Sequence, residues 1–407
     1  MSESPRPSRP IAVAIVALVC FNFASYVCNG LPLAVLPGYV LKELDFSSVL
    51  VGVVIGTQYI VSLLSRPLAG NVADRFGAKT AVLCGLTGLV VTGGLTGLAV
   101  LLSNAPALSL CLLLAARAVQ GASAALISTP CCTWAIGLHG TSQATRVMSW
   151  NGIASYGGTA VGAPVGVLVH QHFGMAGIGL SLAVLGLTAL GYALTKQAAP
   201  LVPGKRLPFG NIFFSVLPNG LALACSSVGF GSLTAFVALY FDRLGWANAA
   251  YCLTGFGIAF IVARLSTPNV VPRFGGYRVV SACMAIQTVG LLLIWLAPVP
   301  AVAVLGAMLT GLGVSWVYPG LGVETLARTP EASRTSALST LSLFFDLAVG
   351  MAGPLMGLVA TGLGFPSVFL VAAMLSSLGL ICVLRMHRRH LHERSLPPAQ
   401  TANRPAA

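Results

Sequence analysis

Long apolar stretches recur along the whole chain, each near the roughly 20 residues that cross a hydrocarbon core of about 30 Å as helix. Twelve are present, at 11–37, 47–69, 80–102, 108–137, 147–169, 175–195, 214–240, 249–267, 279–297, 300–323, 335–360 and 366–385. Water-soluble layers cannot hold them. Only 8% of the 407 residues are charged, against about a quarter in a soluble domain. In hydrocarbon every backbone N–H and C=O must be bonded within the protein, so spans of this length are helices. The expected fold class is an all-α polytopic membrane protein with twelve transmembrane helices.

An even number of spans puts both termini on one side. The segments on that side hold 17 of the 22 basic residues, among them Arg75, Lys79, Arg146, Lys196, Arg273, Arg334 and Arg388. The opposite loops hold Lys42 and Arg243, and Arg66, Arg117 and Arg264 lie inside spans. Such a bias places both termini in the cytoplasm. The net charge of +13 is then a topology signal rather than a nucleic-acid surface. The first stretch runs too long for a cleaved leader and is expected to remain as a helix. The ten cysteines fall inside spans without CxxC spacing and read as small apolar residues.

The two halves repeat. RPLAGNVADRFGAK from Arg66 and RLSTPNVVPRFGGYR from Arg264 share Arg, Asn, Val, Arg, Phe and Gly at a constant offset, each closing the second span of its half. A looser match links Arg146–Gly166 with Arg334–Gly357. The expected organisation is a cytoplasmic N-terminus at 1–10, a six-helix bundle at 11–195 and a cytoplasmic linker at 196–213. A second bundle follows at 214–385 and a basic tail at 386–407. Two parallel repeats enclose a cavity and rock about it, which points to a transporter.

GNVADRFGAK from Gly70 resembles the signature loop between the second and third helices of the major facilitator superfamily, and RAVQGASAA from Arg117 is similar to its fourth-helix motif. Within the superfamily, MSWNGIASYG from Met148, RFGGYR from Arg273 and FFDLAVGMAGP from Phe344 resemble a bacterial inner-membrane branch described as sugar or arabinose efflux-type transporters. Two departures are visible. Pro272 stands where the first loop has Asp74, and the fifth-helix glycine ladder Gly158, Gly162, Gly166 carries Pro164 inside it. With its counterpart Gly353 and Gly357, that ladder is expected to pack where the halves meet.

The resemblance makes Gly70, Asp74, Arg75, Gly77 and Lys79 a gating loop, with Asp74 facing the start of the eleventh helix near Arg334–Ser339. A solvated polar turn is the other reading. Asp346 is the one carboxylate deep in a span, on a stripe with Ser339 and Ser342, and Arg117 lies near the membrane centre. Burial raises a carboxyl pKa and a nearby cation lowers it, so Asp346 with Arg117 forms a candidate proton-coupling centre. A carboxylate locked in an interhelical hydrogen bond, and an arginine bound to backbone carbonyls, are the alternatives. Asn22, Tyr26 and Asn29 share one face of the first helix. By resemblance Asn22, Tyr26, Asn29, Gln120, Asn219, Ser226, Trp316 and Tyr318 line the substrate cavity, extended by Gln58 and Asn151. Interhelical hydrogen bonding is the other role open to each.

The expected function is secondary active transport of a small organic solute across the bacterial inner membrane by alternating access. Export of a sugar-like or drug-like compound by proton antiport is the first reading, and proton-coupled uptake the second. A membrane-embedded enzyme or a sensor is the reading from another class. No cofactor and no metal are expected. Expected partners are the solute, protons and membrane lipids, the last met by the basic stretch RMHRRHLHER. Nucleic acid is not expected, and the chain is expected to act as a monomer.

Overall fold

The computed structural model describes residues 9–33, 35–46, 48–201 and 207–395. The expected N-terminus up to residue 8, linker residues 202–206 with Lys205 and Arg206, and the tail from 396 lie outside the described residues. Among the described residues the regular structure is helical. The principal helices are α1 (Arg9–Leu33), α2 (Ser48–Phe76), α3 (Ala78–Leu101), α4 (Pro106–His139), α5 (Ala144–Leu194), α6 (Phe209–Arg243) and α7 (Ala250–Ser266). They continue as α8 (Val270–Phe274), α9 (Gly276–Trp295), α10 (Pro300–Ser315), α11 (Val317–Ala327), α12 (Arg334–Leu363) and α13 (Phe365–Ser395).

Nine helical segments among the described residues are long and apolar enough to cross a membrane. Large apolar side chains such as Leu64, Leu168, Leu180, Phe214 and Leu358 face outward, a surface suited to lipid and not to water. Helix α5 has 51 residues, about 76 Å at 1.5 Å each, more than twice a hydrocarbon core. It is interrupted at Gly174 (φ 62°, ψ −163°), and each arm is of spanning length. Pro106 and Pro300 open α4 and α10, where a missing N–H costs nothing.

The internal repeat is visible in the backbone. Gly77 between α2 and α3 has φ 94° and ψ 144°, and Gly275 between α8 and α9 has φ 85° and ψ 150°. Only glycine enters that region cheaply, so both loops turn through the same conformation. Short 3₁₀ turns at Thr141–Gln143 and Glu331–Ser333 likewise precede α5 and α12.

The chain packs as two compact units. The first comprises Met1–Val216 with Leu326–Asp346, and the second Leu217–Thr325 with Leu347–Ala407. Thus the opening half of α12, which the sequence repeat assigns to the second bundle, is built into the first unit.

Inside the first unit the glycine ladder of α5 seats α1. A Cβ added at Gly158 would lie 2.7 Å from the Phe23 carbonyl oxygen and 2.8 Å from Tyr26 Cβ, and one at Gly30 would lie 2.9 Å from Gly162 Cα. The expectation that the ladder packs where the halves meet is therefore corrected: backbone-to-backbone approach of α1 and α5 is what needs it. Nearby, Phe21 stacks on Trp134 at 5.7 Å, and the Trp134 indole donates to the Gln197 carbonyl at 2.9 Å. In the second unit Tyr240 packs on Phe369 and donates to the Ile294 carbonyl at 2.9 Å. There, among the described residues, a Cβ added at Gly353 would meet nothing beyond its own helix within 4 Å, and one at Gly357 would meet the Phe236 ring at 3.8 Å.

Substitution of the two ladders should therefore differ. Gly158→Leu should destabilise the protein by about 1–3 kcal/mol through overpacking, while Gly353→Ala should stay within about 0.5 kcal/mol of wild type. Thermal melting of the purified protein in detergent checks both.

Candidate functional site

The first unit contains an ion pair between two of its helices. Arg66 on α2 is 6% exposed, and its Nε donates to Asp346 Oδ2 on α12 at 2.8 Å. Its Nη1 also donates to Ser128 Oγ at 2.8 Å and Thr129 Oγ1 at 3.2 Å, both on α4. Three helices thus share one guanidinium. Two charges taken out of water cost several kcal/mol each, and their attraction offsets this only when the remaining donors are satisfied, as the two hydroxyls help to do. Protonation of Asp346 would cancel the attraction while leaving Arg66 its hydroxyl partners.

A polar chain leads away from this pair. Asn151 Nδ2 donates to the Ser128 carbonyl at 3.2 Å, and Asn22 Nδ2 donates to the Asn151 carbonyl at 3.1 Å and to Ser155 Oγ at 2.9 Å. Tyr26, also bonded to Ser155, lies within electrostatic reach of Arg66 and Asp346. The Oδ1 atoms of Asn22 and Asn151 are buried with no hydrogen-bond partner among the described residues. Two acceptors lacking donors beside a switchable ion pair are what a hydroxyl-bearing solute could satisfy.

Sequence reasoning placed Arg117 beside Asp346 as a coupling centre, and the geometry separates them. Ser128, which shares Arg66 with Asp346, is eleven residues along α4 from Arg117, about 16 Å of rise. Arg117 Nη1 instead donates to Gln120 Oε1. Gln120 Nε2 bonds the Cys28 carbonyl at 2.8 Å and Asn29 Oδ1 at 3.2 Å, and Gln58 Nε2 reaches the same Asn29 oxygen at 2.9 Å. Arg66 is the functional residue that spacing did not single out. Its signal was present: a basic residue inside a span, at a repeat position shared with Arg264.

At the end of α2 the chain makes a second link to α12. Asp74 Oδ1 accepts the Thr335 N–H at 3.1 Å, and Oδ2 accepts the Ser336 N–H at 2.9 Å and the Ser336 hydroxyl at 2.6 Å. Those N–H groups belong to the first turn of α12, where no helical acceptor exists and the dipole favours an anion. A Cβ at Gly70 would stand 2.6 Å from Ser336 Cα, so the close approach requires glycine. Burial pushes the Asp74 carboxyl above the usual carboxylate range, and the bonds from Ser336 and Thr335 pull it back only in part. Arg75 is exposed. Lys79 donates to the Leu194 and Lys196 carbonyls, so it caps the end of α5.

The remaining cavity candidates belong to the second unit, and most are committed to interhelical bonds. Asn219 donates to Thr325 Oγ1 at 2.9 Å and accepts the Tyr277 hydroxyl at 3.2 Å. Ser226 donates to Gln287 Oε1 at 2.6 Å. The Trp316 indole donates to Thr267 Oγ1 at 3.1 Å, and Tyr318 is half-buried. Among the described residues no three His, Cys, Asp or Glu side chains gather where they could hold a metal ion.

The family model described as Major Facilitator Superfamily matches residues 18–271 and 244–406. An uncharacterized MFS-type transporter of Burkholderia pseudomallei (strain 1106a) is 45% identical over 388 residues, covering 95% of each chain. In fold alone, the human organic anion transporter MFSD10 (TETRAN) aligns with a TM-score of 0.76 at 16% identity, over 93% of this chain and 100% of that one. The E. coli fucose:proton symporter aligns with a TM-score of 0.74 at 16% identity, over 92% and 98%. These matches make the molecule a multi-pass transporter of the bacterial inner membrane and not an enzyme. The chain belongs to the major facilitator superfamily.

Proposed function

We propose that this transporter is proton-coupled and moves a small hydroxyl-bearing or amphiphilic organic solute, with export by antiport as the favoured direction. The observation that carries the reading is the Arg66–Asp346 pair, whose carboxylate lies inside an apolar helix of spanning length and whose guanidinium is shared with Ser128 and Thr129. A proton arriving at Asp346 releases one of the two holds of α2 on α12, and its departure restores it. That is the exchange coupling needs. The orphan acceptors of Asn22 and Asn151, with Tyr26 beside them, supply the solute end of the same network.

The two arms of α5, together with α2 and α7 and the other apolar helices, support the twelve crossings expected from sequence, with both termini cytoplasmic. In that arrangement Asp74 and the first turn of α12 form a cytoplasmic latch that opens and closes once per cycle. The protein works as a monomer, and its basic segment after α13's apolar part meets anionic lipid. Proton-coupled uptake is the second reading, supported by the E. coli fucose:proton symporter, which shares this fold. The pair would serve either direction.

Flux in proteoliposomes under an imposed pH gradient tests the proposal: proton movement opposite to the solute means antiport, parallel movement means symport, and flux indifferent to the gradient sinks both. Asp346→Asn should keep facilitated exchange yet lose gradient-driven accumulation, and accumulation at the wild-type level would remove Asp346 from coupling. Asp346→Asn should destabilise by about 3–5 kcal/mol because it strands the buried Arg66 charge, and Arg66→Gln should cost less because the Asp346 carboxylate is only half-buried. The double variant should recover much of that loss in a melting cycle. Asp74→Asn removes charge-assisted bonds contributing about 1.5–3 kcal/mol each. It should slow transport about tenfold or more without lowering membrane expression, as initial-rate flux per molecule would reveal.

A further inference from the structure

Three arginines are buried inside the helices, and each is satisfied differently. Arg66 has a carboxylate, and Arg264 donates to the Ser315 carbonyl at 3.0 Å and lies 4.3 Å over the Phe260 ring. Arg117 has neither. It is 4% exposed, its one hydrogen bond among the described residues goes to a neutral amide, and no carboxylate there pairs with it. Its Nε is buried without an acceptor. A guanidinium in this state carries a desolvation cost that one hydrogen bond to a neutral amide offsets only in part.

Beside it is a cavity that Arg117 itself lines, walled by Pro32, Leu36, Thr96, Met175 and Leu182. The space amounts to about 10 Å³ for the centre of a water-sized particle, room for one small ion or water. Gln120 also lines it, with its Oε1 spent on Arg117 and its Nε2 on the Cys28 carbonyl and Asn29, and the Thr96 hydroxyl is spent on the Thr92 carbonyl at 2.8 Å; the other walls are apolar. They offer a cation no oxygen ligands, and a divalent oxyanion such as sulfate would lose its hydration there without enough donors to replace it. A weakly hydrated monovalent anion needs only the positive charge and the open N–H.

We infer that Arg117 and this cavity form a binding site for a single monovalent anionic group, either a free halide or one carboxylate of a solute. The site lies within the first unit, apart from the Arg66–Asp346 pair, and its occupancy neutralises Arg117. It does not depend on which way the transporter runs.

Line broadening of ³⁵Cl in NMR of the purified full-length protein, in detergent without solute or pH gradient, tests this separately from coupling. Wild type should give a saturable excess broadening that bromide displaces. Arg117→Gln should lose it. Ala116→Leu, which keeps the guanidinium and fills the cavity, should lose it too and guards against a misfolded first variant. Displacement of chloride by acetate would assign the site to carboxylates as well, and resistance to acetate would restrict it to halides. No saturable excess with either chloride or acetate, or an excess equal in wild type and both variants, overturns the proposal and leaves the cavity to water.

Discussion

A guanidinium in hydrocarbon keeps its charge, so the protein around it must supply acceptors or an anion. This constraint organises the first unit. Arg66 draws Asp346, and with it the opening half of α12, onto α2 and α4, and Asp74 holds the first turn of the same helix. One end of the hold is an ion pair that a proton can cancel, and the other is a carboxylate on a helix N-terminus. A helix held only by apolar packing would have no such titratable point of release. The coupling proposed above and the attachment of α12 would therefore rest on the same set of bonds.

The duplication behind the two halves preserved geometry more than chemistry. Gly77 and Gly275 turn alike, and Arg66 and Arg264 occupy equivalent places. Yet Pro272 stands where the first loop has Asp74, and the loose match of Arg146 with Arg334 puts Gly158 opposite Asp346. No side chain fits at Gly158, because α1 lies against it. A mirror-image ion pair would cost the closest helix contact of the first unit. The asymmetry follows from packing, and Arg264 is left to a backbone carbonyl and an aromatic face.

Much of the architecture was legible because length and apolarity determine a span, and because the Asp74 loop is local: its glycines and carboxylate lie within a few residues of one another. Arg66 and Asp346 are 280 residues apart, and no spacing encodes that meeting. Burial alone marked both as notable, and Arg117 looked equally notable. Amides and hydroxyls inside spans were ambiguous for a physical reason. Asn219 and Ser226 serve as interhelical bonds while Asn22 keeps a vacant acceptor, and a lone polar residue on a helix face looks the same in either role. The interruption between α10 and α11 was missed, since the apolar run continues through Trp316.

That interruption has a cause which links it to the arginines. Proline lacks the N–H that would bond the carbonyl four residues earlier. Pro319 thus frees the Ser315 carbonyl, and this oxygen accepts Arg264 Nε. Pro32 likewise frees the Cys28 carbonyl, which accepts Gln120 Nε2, and Gln120 in turn holds Arg117. A proline inside a spanning helix would ordinarily strand a buried acceptor, and a buried side-chain donor would ordinarily lack one. Pairing the two defects satisfies both, and fixes the donor at a depth set by the proline. Prolines in these helices therefore position polar chemistry as well as bend the backbone. For Arg117 the device falls short by one bond, because Gln120 takes the freed carbonyl and Arg117 receives only the neutral amide oxygen.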